Sequence, residues 1–264
     1  MGEPQKTASL PPSLAKVSAG LEKFQPPTGP FDPKGMWEHR YAIWVLYPEA
    51  PGAASRLSNT RMSRAMGALR IRRQFAGDAI TLDVDLATKQ GGRGIAVCHV
   101  SARVTCANDR LATPRSWQLR SVTLDQAGKP VEGTESQETG QIADGMIRRR
   151  SKSERAIPAP KAFTSNWSLF DALQRLPGDD VEPMTFDMLE EMDLLKPNHR
   201  LHYRQTVEVS LGGQPVKLHG FEQIGEGILP YTYWLDDQRR VLMAIGGRRA
   251  FILDPSAEIP EVAQ

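Results

Sequence analysis

The residues best placed to do chemistry lie in two predicted strands, 200–211 and 216–224, joined by Gly212-Gly213-Gln214-Pro215. Pairing the strands about Gln214 sets Glu208 opposite His219 and Gln205 opposite Glu222. A carboxylate beside an imidazole makes a tunable general base. Glu208, His219 and Glu222 are therefore the candidate catalytic residues, suited to an enzyme acting on carbohydrate or another polar metabolite. The blander alternative is a cross-strand pair on a wetted face, worth roughly 0.2–1 kcal/mol. No nucleophile accompanies the trio, so the balance leans away from an enzyme.

Asp83 and Asp85 share one strand face with carboxylates about 7 Å apart by strand rise, the spacing of an inverting glycosidase pair. The alternation of Ile80, Leu82, Val84 and Leu86 with Thr81, Asp83 and Asp85 already explains them as the solvated side of a half-buried strand. His199 and His202 lie three apart at the start of a strand, where side chains alternate and point to opposite faces, so no metal pair is expected. Gly92-Arg93-Gly94 and Gly225-Glu226-Gly227 lack the third glycine and the following helix of a dinucleotide loop, and no phosphate loop, His-Glu-x-x-His or Gly-x-Ser-x-Gly motif occurs. The expectation is no metal and no cofactor.

The elements that must position these groups are almost all strands. The 40% hydrophobic and 24% charged residues are globular values. With 33 basic and 31 acidic residues the formal charge is +2, too little for a broad field toward nucleic acid. The basic clusters Arg70, Arg72 and Arg73, and Arg148, Arg149, Arg150, Lys152 and Arg155, read first as protection of a sheet edge or loop, with binding of an anionic ligand as the alternative. No stretch reaches the roughly 18–20 apolar residues of a spanning helix.

Predicted strands cover 37–47, 68–75, 79–86, 95–106, 117–124, a segment near 140–150, and 184–189, 200–211, 216–224, 231–235, 241–244 and 250–253. The predicted helix is 166–176, where Trp167, Phe170, Leu173 and Leu176 form one stripe and Thr164, Ser165 or Asn166 can cap the start. Strand after strand joined by short turns, with one helix inserted, indicates a mainly β fold: a large curved antiparallel sheet, a half-barrel-like meander, packed around one α-helix. Residues 1–34, with Pro4, Pro11, Pro12, Pro26, Pro27, Pro30 and Pro33, read as a largely disordered leader or tether. Residues 35–256 read as one β domain and 257–264 as a tail. Cys98 and Cys106 fall on one strand, about 27 Å apart by strand rise, and a disulfide needs Cα atoms within roughly 7 Å. They are expected to be free, mostly buried thiols.

The stretch Leu229-Pro230-Tyr231-Thr232-Tyr233-Trp234-Leu235-Asp236-Asp237-Gln238-Arg239-Arg240-Val241-Leu242, with Phe251-Ile252-Leu253-Asp254, resembles the closing hairpin of exported bacterial half-barrel proteins of unknown function. Those in turn are similar to the LolA/LolB lipoprotein-carrier superfamily. The resemblance covers the last third of the chain. It implies a curved sheet with helical cover around an apolar cavity for acyl chains, an extracytoplasmic location, periplasmic or membrane-tethered, and no catalytic residues. The leading expectation is thus a non-enzymatic exported domain that binds a lipid or other amphiphilic small molecule in its concavity, with Trp167, Phe170, Tyr231, Tyr233 and Trp234 as the ligand-binding residues. A structural or partner-binding module is the remaining alternative. Nothing in the pattern sets an oligomeric state.

Overall fold

The computed structural model describes residues 10–48, 60–90, 96–178 and 182–259. Their strands form one sheet. In chain order these are β1 (Trp37–Pro48), β2 (Thr60–Ala76), β3 (Ala79–Gln90), β4 (Ala96–Ala107), β5 (Pro114–Leu124), β6 (Ser136–Ala143), β7 (Met146–Arg150), β8 (Glu154–Pro158) and β9 (Phe163–Ser165). After a helix come β10 (Met184–Glu190), β11 (Leu194–Leu211), β12 (Gln214–Ile224), β13 (Tyr231–Leu235), β14 (Val241–Ile245) and β15 (Arg249–Leu253). The order β8-β7-β6-β5-β4-β3-β2-β1-β15-β14-β13-β12-β11-β10-β9 is a meander closed through β1 and β15. Every pairing is antiparallel except β9 with β10, which is parallel. The mainly β, curved antiparallel expectation therefore holds.

The two sheet ends, β8 and β9, are consecutive in sequence, so the sheet has to curl for the short link between them to span its edges. Contacts across the gap complete the curl: Thr164 Oγ1 donates to the Leu111 carbonyl at 2.6 Å, and Arg149 on β7 pairs with Asp193 beyond β10. Strand parity sends Ile80, Leu82, Val84 and Leu86 of β3 inward, all of them buried. The same parity turns Arg73 inward with Leu69 and Ile71. It does not protect an edge; it forms a 2.7 Å ion pair with the fully buried Asp171.

Asp171 belongs to α3 (Ser168–Gln174), the interior helix, every residue of which is buried. It is shorter than expected, and Ser165 Oγ accepts from the Ser168 N–H at 3.0 Å at its start. Asn166 is engaged elsewhere. Phe170 meets Tyr41, Tyr233 and Phe251 edge-on, with centroids 5.1, 6.0 and 6.2 Å away.

The Pro-rich leader needs correction. Its residues 10–34 carry two single-turn helices, α1 (Pro12–Ala15) and α2 (Ser18–Leu21), and bury Leu14, Val17, Leu21 and Phe24. The reason is on the outer face of β12 and β13. Trp234 stands there, with Gly220 as its cross-strand partner and Leu218 on the same face, and this apolar surface needs a cover. The leader supplies it: Trp234 Nε1 donates to Ser13 Oγ at 3.1 Å, and the Gly212 N–H donates to the Leu21 carbonyl at 2.9 Å. Residues 1–9, tail residues 260–264 and Ile95, where a strand was expected to begin, lie outside the described residues.

Two further strand assignments change. The segment near 140–150 is a hairpin, β6 and β7, turning at Asp144 and Gly145, both with positive φ. β8 and β9 carry no clear alternation and escape the sequence pattern. The cysteines are free as expected, Cys106 buried and Cys98 half-buried.

Candidate functional site

Inside the curled sheet, beside α3, lies a cavity of about 100 Å³. Its apolar wall includes Leu69, Leu86, Trp167, Phe170, Met188, Tyr231, Tyr233 and Phe251, and its polar lining is Asn166, Glu190, Glu191, Gln223 and Arg249. Four of the five expected ligand-binding residues therefore meet here: Trp167, Phe170, Tyr231 and Tyr233. Trp234 does not. Strand alternation sends it to the opposite face from its neighbours Tyr233 and Leu235, where the leader covers it.

The aromatic wall is held by a buried polar chain. The Tyr233 hydroxyl donates to Gln223 Oε1 at 2.8 Å, and Gln223 Nε2 donates to His199 Nδ1 at 2.9 Å. That assignment leaves the ring proton of His199 on Nε2. Burial pushes the Tyr233 phenol far above its usual range and His199 below its own, favouring the neutral form of each. Tyr231 stacks on Tyr233 with centroids 6.1 Å apart. It is admitted by a glycine, since a Cβ at Gly246 would stand 2.5 Å from the Tyr231 ring.

At the polar side the chain turns through Glu190–Asp193, closed by the Asp193 N–H to the Glu190 carbonyl at 3.0 Å. Its central residues, Glu191 and Met192, have φ of +48° and +61°, a left-handed pair that two-residue hairpins normally give to Asn and Gly. Surrounding contacts hold it there. Asn166 Oδ1 accepts from the Glu191 N–H at 2.8 Å, Met192 is fully buried, and Arg149 pairs with Asp193. Desolvation, then the neighbouring Glu190, raise the Glu191 carboxyl, while Arg249 pulls it down.

The expected catalytic trio is not brought together. Gly212 and Gly213, at φ +57° and +80°, form the two-residue turn themselves, so the hairpin is centred between them and the register differs from the expected one by two residues. Glu208 then faces Lys217, His219 faces Thr206, and Glu222 faces His202, with His202 Nε2 3.5 Å from the Glu222 carboxylate. His219 gains other neighbours: Thr206 Oγ1 lies 3.1 Å from its Nδ1, and Asp237 Oδ1 lies 2.8 Å from its Nε2. The Tyr203 hydroxyl is 2.6 Å from Thr206 Oγ1. On the outer face, Asp83 is held by Arg72 and Arg103 at 3.1 and 2.7 Å and Asp85 by Arg70 at 2.6 Å, which makes them members of an ion-pair lattice.

Sequence reasoning missed Glu190, Glu191, Gln223, Arg249 and Phe251. Gln223 and Phe251 had a usable signal, since both share strand parity with the cavity wall. Glu191 had none, because its position depends on a left-handed turn that no Gly or Asn announces. Among the described residues no group of three His, Cys, Asp or Glu side chains is arranged to hold a metal ion, and no helix is long and apolar enough to cross a membrane.

The curled meander around a buried helix is a β-barrel-like architecture. No family model matches the chain, and no curated protein matches it. Among solved structures it is similar to the crystal structure of a beta-barrel-like protein of domain of unknown function DUF1849 from Brucella abortus. The likeness has a TM-score of 0.50 at 8% identity, over 82% of this chain and 95% of that one. It shows the fold, and it does not extend to the lipoprotein carriers in particular.

Proposed function

We propose that this chain is a non-enzymatic binding domain that takes the apolar part of a small apolar or amphiphilic ligand into the cavity beside α3, in an extracytoplasmic compartment. The observation that carries the reading is the aromatic cavity with polar groups gathered on one side, the usual form of a small-molecule site. Its volume refines the ligand. Pockets for drug-sized ligands measure about 300–1,000 Å³, so a space of about 100 Å³ admits a short group and not a whole acyl chain. The test is titration with n-hexanol and hexanoate, read by tryptophan fluorescence, together with native mass spectrometry for a copurifying lipid or other small molecule. Ala244 is buried in the wall, so Ala244→Leu should fill the space and abolish binding with the melting curve still cooperative. Absence of any bound species and of any response in the parent chain would refute the reading.

A second reading, an enzyme acting on a polar metabolite, is favoured by the line Thr206, His219 and Asp237, in which a hydroxyl touches an imidazole that touches a carboxylate. Ester or glycoside hydrolysis that disappears in both Thr206→Val and His219→Gln would establish it.

A further inference from the structure

We infer that the cavity beside α3 recognises a free α-amino acid with a short branched aliphatic side chain, leucine being the model, whose side chain enters the cavity while its ammonium meets Glu191 and its carboxylate meets Arg249. The inference rests on the binding reading above and adds the ligand's chemistry.

Charge pairing on the polar side leaves two groups over. Glu190 is taken by Lys196, and Asp193 by Arg149. Among the described residues the Glu191 carboxylate and the Arg249 guanidinium, both of which line the cavity, have no ion pair and no side-chain hydrogen bond. They lie close enough for Arg249 to act on the Glu191 titration, and yet they do not close on each other. An acid and a base held apart at the edge of an apolar space complement a ligand that carries both opposite charges beside an apolar group.

The backbone supports the same assignment. A non-glycine pair at positive φ is unfavourable, and such conformations persist where surrounding structure holds them, most often at ligand sites. Here the side chain of Asn166, the burial of Met192 and the Arg149–Asp193 pair all fix the turn that carries Glu191. A Gly or Asn at position 191 would relieve the backbone and remove the carboxylate. A glutamate at this strained position is accounted for if the carboxylate itself is used.

Size selects the side chain. A cavity of about 150 Å³ accepts benzene, so about 100 Å³ is better suited to an isobutyl group than to a benzyl group. Both charges on one carbon distinguish a free amino acid from a chain terminus, since the end of a peptide offers only one of them there.

The experiment is calorimetric titration of the full chain with leucine, leucinamide, N-acetylleucine, phenylalanine and n-hexanol, repeated with Glu191→Gln and Arg249→Gln. Both residues reach solvent at the cavity edge and neither side chain makes an ion pair among the described residues, so the variants are expected to melt as the parent does. Leucine should bind more tightly than phenylalanine, and each variant should lose about tenfold or more of the leucine affinity, the loss of one charged contact. The derivatives separate the contacts: Glu191→Gln should not weaken binding of the anionic N-acetylleucine, and Arg249→Gln should not weaken binding of the cationic leucinamide, since each variant removes a like charge facing that derivative. If n-hexanol binds the parent and both variants as well as leucine does, the amino-acid assignment is overturned while the cavity reading stands. If neither n-hexanol nor leucine binds, both are overturned.

Discussion

His39 should make this fold sensitive to acid in a way that one substitution removes. The imidazole is 8% exposed, stacked on Trp37 at 4.7 Å, with its Nδ1 3.4 Å from the Tyr41 hydroxyl. Burial, reinforced by the Arg240 guanidinium, pushes it from 6.5 down to about 4. The sign follows from proton counting. As pH falls below 6.5 the unfolded chain protonates His39 and the folded chain does not, so the unfolded state binds more protons and stability is lost down to about pH 4. Above 6.5 this residue contributes no slope. A gap of about 2.5 pH units at roughly 1.4 kcal/mol each gives a loss of about 3 kcal/mol across the window. Urea unfolding of the parent and of His39→Phe at pH 7.5 and at pH 4 would measure it. The variant pays a fixed cost for the stranded Tyr41 hydroxyl, which cancels when the two pH values are compared, and His99, His199 and the carboxylates contribute alike to both proteins. The parent should lose about 3 kcal/mol more than the variant on acidification. Equal losses would show that His39 is protonated in the folded state and that its burial is overstated.

Three further outcomes follow from the packing. Asp171→Ala should cost about 3–5 kcal/mol by chemical denaturation, because it removes the carboxylate shared by the buried Arg73 and by Arg175, whereas Asp171→Leu combined with Arg73→Met and Arg175→Met should recover most of that loss. Leu14→Ala should cost about 2–5 kcal/mol, which at this chain length lowers the melting temperature by roughly 2–4 °C per kcal/mol; an unchanged melting curve would return the leader to the status of a loose tether. Gly220→Ala would bring a Cβ within 2.7 Å of the Trp234 ring, so it should red-shift the tryptophan emission and loosen the leader, read as faster proteolysis ahead of residue 30.

What could be read from sequence, and what could not, divides largely along one physical line. Local patterns were legible: alternation assigned β3 its buried and wet faces, strand rise kept Cys98 and Cys106 apart, and the helical stripe marked Trp167 and Phe170 as buried. Some errors arose where a second segment decided the outcome, and others where a local rule, alternation at Trp234 or the turn at Gly212 and Gly213, pointed the other way. Trp234 is as aromatic as its neighbours, but alternation sends it outward, and only the docking of Ser13 and Leu21 explains how a tryptophan can be buried there. The leader in turn looked disordered because its prolines remove backbone donors, while the four residues that anchor it, Leu14, Val17, Leu21 and Phe24, carry no meaning until the outer face of β12 and β13 exists to receive them.

The same dependence explains why the curled sheet needs two covers. A sheet with one dry face requires only an interior, and α3 fills it. Here β12 and β13 place Phe221 and Tyr233 inward and Leu218 and Trp234 outward, so both faces of one hairpin are apolar. The leader docks on this doubly apolar hairpin, and the cavity takes Tyr231, Tyr233 and Gln223 from its other side. Gly212 links the two: a Cβ there would come within 2.2 Å of the Phe24 carbonyl, so the glycine that makes the two-residue turn also lets the leader close over it. That shared glycine is why the register error at positions 208 and 219 and the misreading of the leader arose together. Both trace to the tight turn at Gly212 and Gly213, which moves Glu208 away from His219 and brings the hairpin tip within reach of Leu21.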